Sequence, residues 1–231
     1  METVFASAQQ VAVPVVGTTA VFPVRRVYCV GQNYSAHVRE MGGDPSKTQP
    51  VFFSKPSDAL VIDNSPVNYP MATASLHFEA ELVVALEQGG LKLTAAQAQD
   101  CIFGYGVGID FTRRDLQAKC KAKGQPWDIA KGFDQSAPIS AIKPLAQCSH
   151  VDRARIWLSV DNVIKQDANT DDMIWDVPSI IAELSTYFEL KAGDLIFTGT
   201  PSGVDAVSVG DCIRAGIDGV GELEVKILEG V

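Results

Sequence analysis

Apolar residues along this chain fall in short runs broken by glycine, proline and polar turns, the pattern of a β-rich fold. "RRVYCVG", "VFFSKPSDAL" as far as Pro56, "FEAELVVALE" and "YGVGIDFT" read as strands, and the glycines of the last mark close approach of backbone or ligand. "RIWLSV" and "NVIKQ" flank Asp161 as a hairpin, although no Asn-Gly fixes the turn type. Near the C-terminal end, "GDLIFTGTPSGV" and "GDCIRAGIDGVGELEVKIL" give a strand, a glycine-rich loop and a further pair of strands.

Helical patterns are fewer and shorter. "NYSAHVREMGG" is a helix closed by Gly42 and Gly43, "LTAAQAQDCIFG" one capped by Thr94, and "WDVPSIIAELSTYF" one with Asp176 as cap and Pro178 in its first turn. "RRDLQAKCKAKGQPWDIAKGFD" starts helical and breaks at Gly124 and Pro126, so it is expected to be mobile. Residues 1–24 read as a loose N-terminal segment. With no repeat and no linker, residues 25–231 are expected to form a single domain, α+β in class and β-rich.

One strand carries a charge pattern that a core strand should avoid. In "LHFEAELVVAL" the period of two puts Glu79 and Glu81 on one face and Phe78, Ala80 and Leu82 on the other, whereas a helix would separate the glutamates by about 200°. Burying both costs on the order of several kcal/mol per ion unless something positive lies between them, and a divalent cation is the obvious candidate. Such a hard ion takes oxygen ligands, and Asp110, closing "GYGVGIDFT", is the best third one. The alternative is an exposed strand face that binds nothing.

Composition narrows the classes. The 231 residues are 46% hydrophobic and 20% charged, enough for a sizeable core and too apolar for disorder. No run approaches the ~20 apolar residues of a membrane span, and the N-terminus lacks the basic and apolar regions of a signal peptide. A net charge of −9 repels nucleic acid. The basic stretch "TRRDLQAKCKAKG" could form a local patch, but its interleaved Asp115 favours a solvated helix face. Five cysteines without CxxC or Cys/His spacing read as reduced thiols of a cytoplasmic protein.

Other residues carry candidate chemistry beside a plainer reading. His37 and Glu40 are three apart and share a helix face, where a carboxylate fixes the imidazole tautomer and prepares it to take a proton from water; an ordinary surface ion pair has the same spacing. Lys131 in "PWDIAKGFDQSAP" is by default a snorkelling surface lysine. Thr200 in "FTGTPSGV" sits in a turn able to hold an anion. His77 and His150 lack partners and read as structural. No phosphate loop, GxGxxG or GxSxG motif is present.

Seven blocks in order, "VYCVGQNYSAHVREM", "FFSKPSDAL", "LHFEAELVVAL", "GYGVGIDFTRRDLQ", "PWDIAKGFDQSAP", "DMIWDVPSIIAELS" and "GDLIFTGTPSGV", resemble the fumarylacetoacetate hydrolase family from about Arg25 to Leu228. "TRRDLQ" and "AKGFD" look most like its acylpyruvate hydrolase branch, especially those bacterial members that serve the gentisate pathway of aromatic catabolism. The resemblance implies a mixed β-roll or sandwich with flanking short helices, a homodimer, and Mg²⁺ or Mn²⁺ held by Glu79, Glu81 and Asp110. It implies a water-activating pair, His37 and Glu40, on a lid; an active-site lysine, Lys131; and contacts to substrate from Arg114, Gln117 and Thr200. One departure is Gln32, where close relatives often carry Arg, which weakens the case for a cationic handle there.

The expected reaction is hydrolysis of the C–C bond of a 2,4-dioxo acid, foremost fumarylpyruvate to fumarate and pyruvate. Oxaloacetate decarboxylation, or isomerisation and tautomerisation of a keto acid, would use the same site. A binder of keto acids without turnover would need only the chelate and an anion pocket.

Overall fold

The computed structural model describes residues 4–6, 9–47 and 49–230; the remainder of residues 1–24, with residues 48 and 231, lie outside the described residues. Two sheets carry the architecture. The larger has six strands in the order Lys143–Pro144, Ile102–Ile109, Ala80–Leu86, Asp194–Phe197, Arg26–Gly31 and Val51–Lys55. Neighbours in it are antiparallel except Asp194–Phe197 with Arg26–Gly31. The smaller has five, in the order Val163–Asn169, Arg155–Val160, Cys212–Ile217, Gly221–Leu228 and Val67–Asn68, and only its last pair is parallel.

Side-chain alternation explains how the sheets pack. Leu82, Val84, Leu86, Tyr28 and Val30 meet Ile156, Leu158, Ile213, Ala215, Leu223 and Val225 of the smaller sheet in a shared core. The residues between them, Val83, Ala85, Val27, Cys29, Leu195 and Phe197, face the other way into a second core with Ile139 and Ile142. The larger sheet is therefore covered on both faces, and all of Ala80–Leu86 is buried. The smaller sheet is covered on one, so Gly221–Leu228 alternates exposed and buried positions, with Glu222, Glu224 and Lys226 turned to solvent.

The helices expected from the sequence form at Ser35–Glu40, Ala95–Gln99, Arg114–Lys123 and Val177–Tyr187. Thr94 caps the second in a reciprocal capping box with Gln97, and Asp176 caps the last by accepting from the Ser179 N–H at 2.9 Å.

Two local expectations need correction, and two others gain detail. Residues 12–24 are not loose: Ala12–Pro14 and Val21–Pro23 form a hairpin whose Val13, Val15, Phe22 and Val24 enter the second core, because that face of the larger sheet needs an apolar cover. "RRDLQAKCKAKGQPWDIAKGFD" does break where expected, with Gly124 in the left-handed region at φ 62°, but the chain resumes as a second helix, Asp128–Lys131. Phe78 and Glu79 lie outside the strand, between Leu76–His77 and Ala80–Leu86. The hairpin turn is Asp161-Asn162 with φ of 49° and 64°, the two positive values of a type I′ turn, which Asp and Asn tolerate as Asn-Gly would.

Candidate active site

The three acids meet because two antiparallel strands end side by side. Ala80 pairs with Ile109, so Glu79 just before one strand lies beside Asp110 just after the other, and the Asp110 N–H donates to the Glu79 carbonyl at 2.8 Å. Glu81, the second residue of the buried strand, lies on the face that carries Val83. All three are buried, and one carboxylate oxygen from each falls within 4.8 Å of the others. The exposed-strand reading of these glutamates therefore fails.

Cations close the charges. Lys131 is buried at the end of Asp128–Lys131 and donates to Glu79 Oε2 at 2.7 Å and Asp110 Oδ2 at 2.5 Å, so it is no surface lysine. Lys55, at the end of an edge strand, lies 2.8 Å from Asp110 Oδ1 and also donates to the carbonyls of Phe111 and Lys131. Arg114 pairs with the other oxygen of Glu79 and donates to Gln117 Oε1 at 2.7 Å.

This arrangement splits the carboxylates. Burial pushes the Glu79 carboxyl up, but Lys131 and Arg114 outweigh it and hold it well below the usual range. Burial, then the charges of Asp110 and Glu79, push Glu81 well above that range. Burial pulls Lys131 down, and Asp110 and Glu79 more than restore it, so its ammonium is raised. Among the described residues the one hydrogen bond to the Glu81 carboxylate comes from the Gly199 N–H at 2.8 Å. Gly199 has φ +99°, and a Cβ there would stand 2.8 Å from Asn33 Cβ, so glycine is what allows this approach. A buried carboxylate short of positive charge beside two further acids suits a hard divalent cation with oxygen ligands, and the donor set fits Mg²⁺ or Mn²⁺.

The rim is built differently. His37, buried on the helix Ser35–Glu40, has Nδ1 3.0 Å from Glu40 Oε2. The other Glu40 oxygen accepts from the Gly203 N–H at 3.0 Å, which ties the helix to the glycine-rich loop. A carboxylate can only accept, so Nδ1 is the donor nitrogen, and in the neutral imidazole Nε2 carries the lone pair. Thr200, on that loop, is buried and accepts at Oγ1 from Gln166 at 2.8 Å.

His37, the three acids, Arg114, Gln117, Lys131 and Thr200 all border one cavity of ≈ 30 Å³, about the share of a single water. A much larger cavity of ≈ 660 Å³, lined by Tyr105, Cys148, His150 and Asp171 among others, contains none of these groups. Convergent chemistry rather than volume makes the smaller one the candidate site.

Three residues that support the site went unseen in the sequence. Lys55 neutralises Asp110. Fully buried Gln166 accepts from the Ala80 N–H at 2.9 Å and holds Thr200. Asn33 bonds the carbonyls of Trp175 and Thr198 and the Trp175 N–H, pinning the entry to the His37 helix. A lysine closing the apolar strand "VFFSK" is the one signal that pointed to any of them.

Residues 26–228 match the family Fumarylacetoacetate (FAA) hydrolase C-terminal, and the chain belongs to that family. Within it, the chain is similar to the crystal structure of fumarylpyruvate hydrolase from Pseudomonas aeruginosa in complex with Mn²⁺ and pyruvate: TM-score 0.97 and 45% identity, over 99% of this chain and 100% of that one. Fumarylpyruvate hydrolase of Ralstonia sp is 42% identical over 184 residues, 80% of this chain and 95% of that one. The mitochondrial oxaloacetate tautomerase of Rattus norvegicus is also 42% identical, over 203 residues, 88% of this chain and 91% of its own. The β-rich α+β fold expected from the resemblance is the fold found.

Proposed function

We propose that this protein is a metal-dependent hydrolase that cleaves the C–C bond of acylpyruvates, foremost fumarylpyruvate. The observation that carries the reading is the meeting of the buried Glu79, Glu81 and Asp110 cluster with Lys131 and the His37–Glu40 pair on one cavity. A mere binder of keto acids would need no imidazole oriented to accept a proton.

Glu79, Glu81 and Asp110 would hold Mg²⁺ or Mn²⁺, which when bound supplies Lewis-acid polarisation of a 2-oxo acid. His37 Nε2 takes a proton from water, whose oxygen bonds to C4 of the substrate, while Glu40 keeps the Nδ1 proton in place. Lys131 and Arg114 offer positive charge to the oxygen that becomes anionic at C4. The C3–C4 bond then breaks, its electron pair stays with the three-carbon pyruvate fragment, and a proton returns to C3. Gln117 and Thr200 hold the substrate's carboxylate. Water and fumarylpyruvate become fumarate and pyruvate.

Residues 25–231 make up the catalytic domain in this reading, and the protein works as a cytoplasmic homodimer in aromatic catabolism. Family membership is the support for these last attributes. Among the described residues no helix is long and apolar enough to cross a membrane.

The oxaloacetate tautomerase relative favours a second reading in which the same cluster and base move a proton at C3 of oxaloacetate. Steady-state kcat/KM of the Mn²⁺-loaded protein for fumarylpyruvate, acetylpyruvate and oxaloacetate separates the two. Fumarylpyruvate is expected to lead. Fast enol–keto conversion of oxaloacetate with no cleavage of either acylpyruvate would replace the hydrolase reading by the tautomerase one.

A further inference from the structure

The helix Arg114–Lys123 sends three side chains to the cavity, Arg114, Gln117 and Lys121, spaced i, i+3 and i+7 on one face. The first two are accounted for by Glu79 and by each other. Lys121 is not. Its ammonium stands 5.1 Å from the ring centre of Trp127, and no carboxylate among the described residues pairs with it.

The local charge makes this cation conspicuous. Lys55, Lys131 and Arg114 are the cations paired with Glu79 and Asp110, and neither carboxylate forms an ion pair with Lys121. Lys121 is a fourth cation, at the exposed mouth of the same cavity. The surrounding wall is flat and apolar: Trp127 packs on Phe53 with ring centres 5.8 Å apart, and a Cβ at Gly31 would lie 3.5 Å from Trp127. The neutral side chain of Gln32 completes the lining on that side. A planar acyl chain beside the rings, ending in an anion at the ammonium, matches this wall in shape and charge.

We infer that Lys121 is a specificity-determining residue that binds a second carboxylate at the acyl end of the substrate, so that the site selects dicarboxylic over monocarboxylic 2-oxo acids. The inference rests on the acylpyruvate reading for its substrate but not for its chemistry. The solvated-face reading of "TRRDLQAKCKAKG" then holds for Lys119 and Lys123, while the stripe Arg114, Gln117 and Lys121 belongs to the site.

Two comparisons test it in the Mn²⁺-loaded protein. The ratio of kcat/KM for fumarylpyruvate over acetylpyruvate should fall about tenfold in Lys121→Met, the size of one hydrogen bond to a charged group, with the loss in KM for fumarylpyruvate. Lys121→Arg should keep the ratio within about threefold. An unchanged ratio in Lys121→Met, or a loss confined to kcat, overturns the assignment. If the unsubstituted protein cleaves neither substrate, the hydrolase reading falls and calorimetry decides on Lys121 alone. The preference for binding 2-oxoglutarate over 2-oxobutyrate should then drop about tenfold in Lys121→Met, and an equal preference in both proteins would refute it.

Discussion

The carboxylates of the site stand at the ends of strands covered on both faces, whereas the histidine opposite them stands on a six-residue helix at the surface. Glu81 is fixed by strand pairing, Glu79 and Asp110 by the backbone bond that joins them at the strand ends, and the three share Lys55, Lys131, Arg114 and the Gly199 N–H. The helix Ser35–Glu40 has no side-chain cap at its start; His37 is oriented through Glu40, and Glu40 through the Gly203 N–H. A metal-binding floor must hold several like charges together, which requires redundancy. A proton-transferring rim must admit the substrate and then cover it, which requires few bonds. The ≈ 30 Å³ cavity fits this division, because the proposed seven-carbon substrate is larger than that space and needs the rim to give way.

The largest effect should come from striking the floor. A chelator should abolish turnover and added Mn²⁺ should restore it, while Glu81→Gln should lose at least about 10²-fold in Mn²⁺ affinity with the fold intact. Glu81 also gives a pH signature. Its carboxyl keeps its proton above the usual range, so in the metal-free protein the folded state binds more protons than the unfolded one. Stability should therefore fall as pH rises from the ordinary carboxylate range through Glu81's raised value. Over that window Mn²⁺ binding should release a proton, and affinity should decline towards acid. Calorimetry in buffers of different ionisation heat measures the release. Proton release that persists in Glu81→Gln would show that the wrong acid has been assigned.

The rim is next. His37→Ala should lower acylpyruvate cleavage by ~10²–10⁴, about 3–5.5 kcal/mol of barrier, with Mn²⁺ affinity and melting temperature nearly unchanged. Loss of metal affinity in this variant would erase the division between floor and rim. Retained cleavage would remove His37 from the reaction.

The same division decided what could be read from the sequence. The floor was legible because Glu79 and Glu81 violate the rule that buried strands are apolar, and a violated rule is visible in one dimension. His37 and Glu40 were legible through helical spacing. What neutralises the floor was not: Lys55 and Asp110 are brought together by the packing of segments 55 positions apart, and no local pattern encodes that contact. Lys131, 21 positions from Asp110, drew its role only from the family resemblance. The N-terminal hairpin was missed for a related reason, since its strands are three residues each and their stability comes from the second core rather than from propensity.

The smallest effect expected is also the sharpest test of the rim, because Glu40→Gln keeps shape while changing which hydrogens are offered. In the native pair one carboxylate oxygen takes the His37 Nδ1 proton and the other takes the Gly203 N–H, so both positions are acceptors. An amide has one oxygen and one NH₂. If the oxygen serves Gly203, the NH₂ faces Nδ1, the imidazole proton moves to Nε2, and the lone pair needed for water is lost. If the oxygen serves His37, two N–H groups oppose each other at the loop and the helix loosens. Cleavage should fall about tenfold to a hundredfold in either case, and hydrogen exchange over residues 33–43 tells which case holds. Unchanged exchange with reduced kcat points to the wrong tautomer, while faster exchange with raised KM points to a loosened cover. Full activity with native exchange would mean that Glu40 neither orients His37 nor anchors the rim.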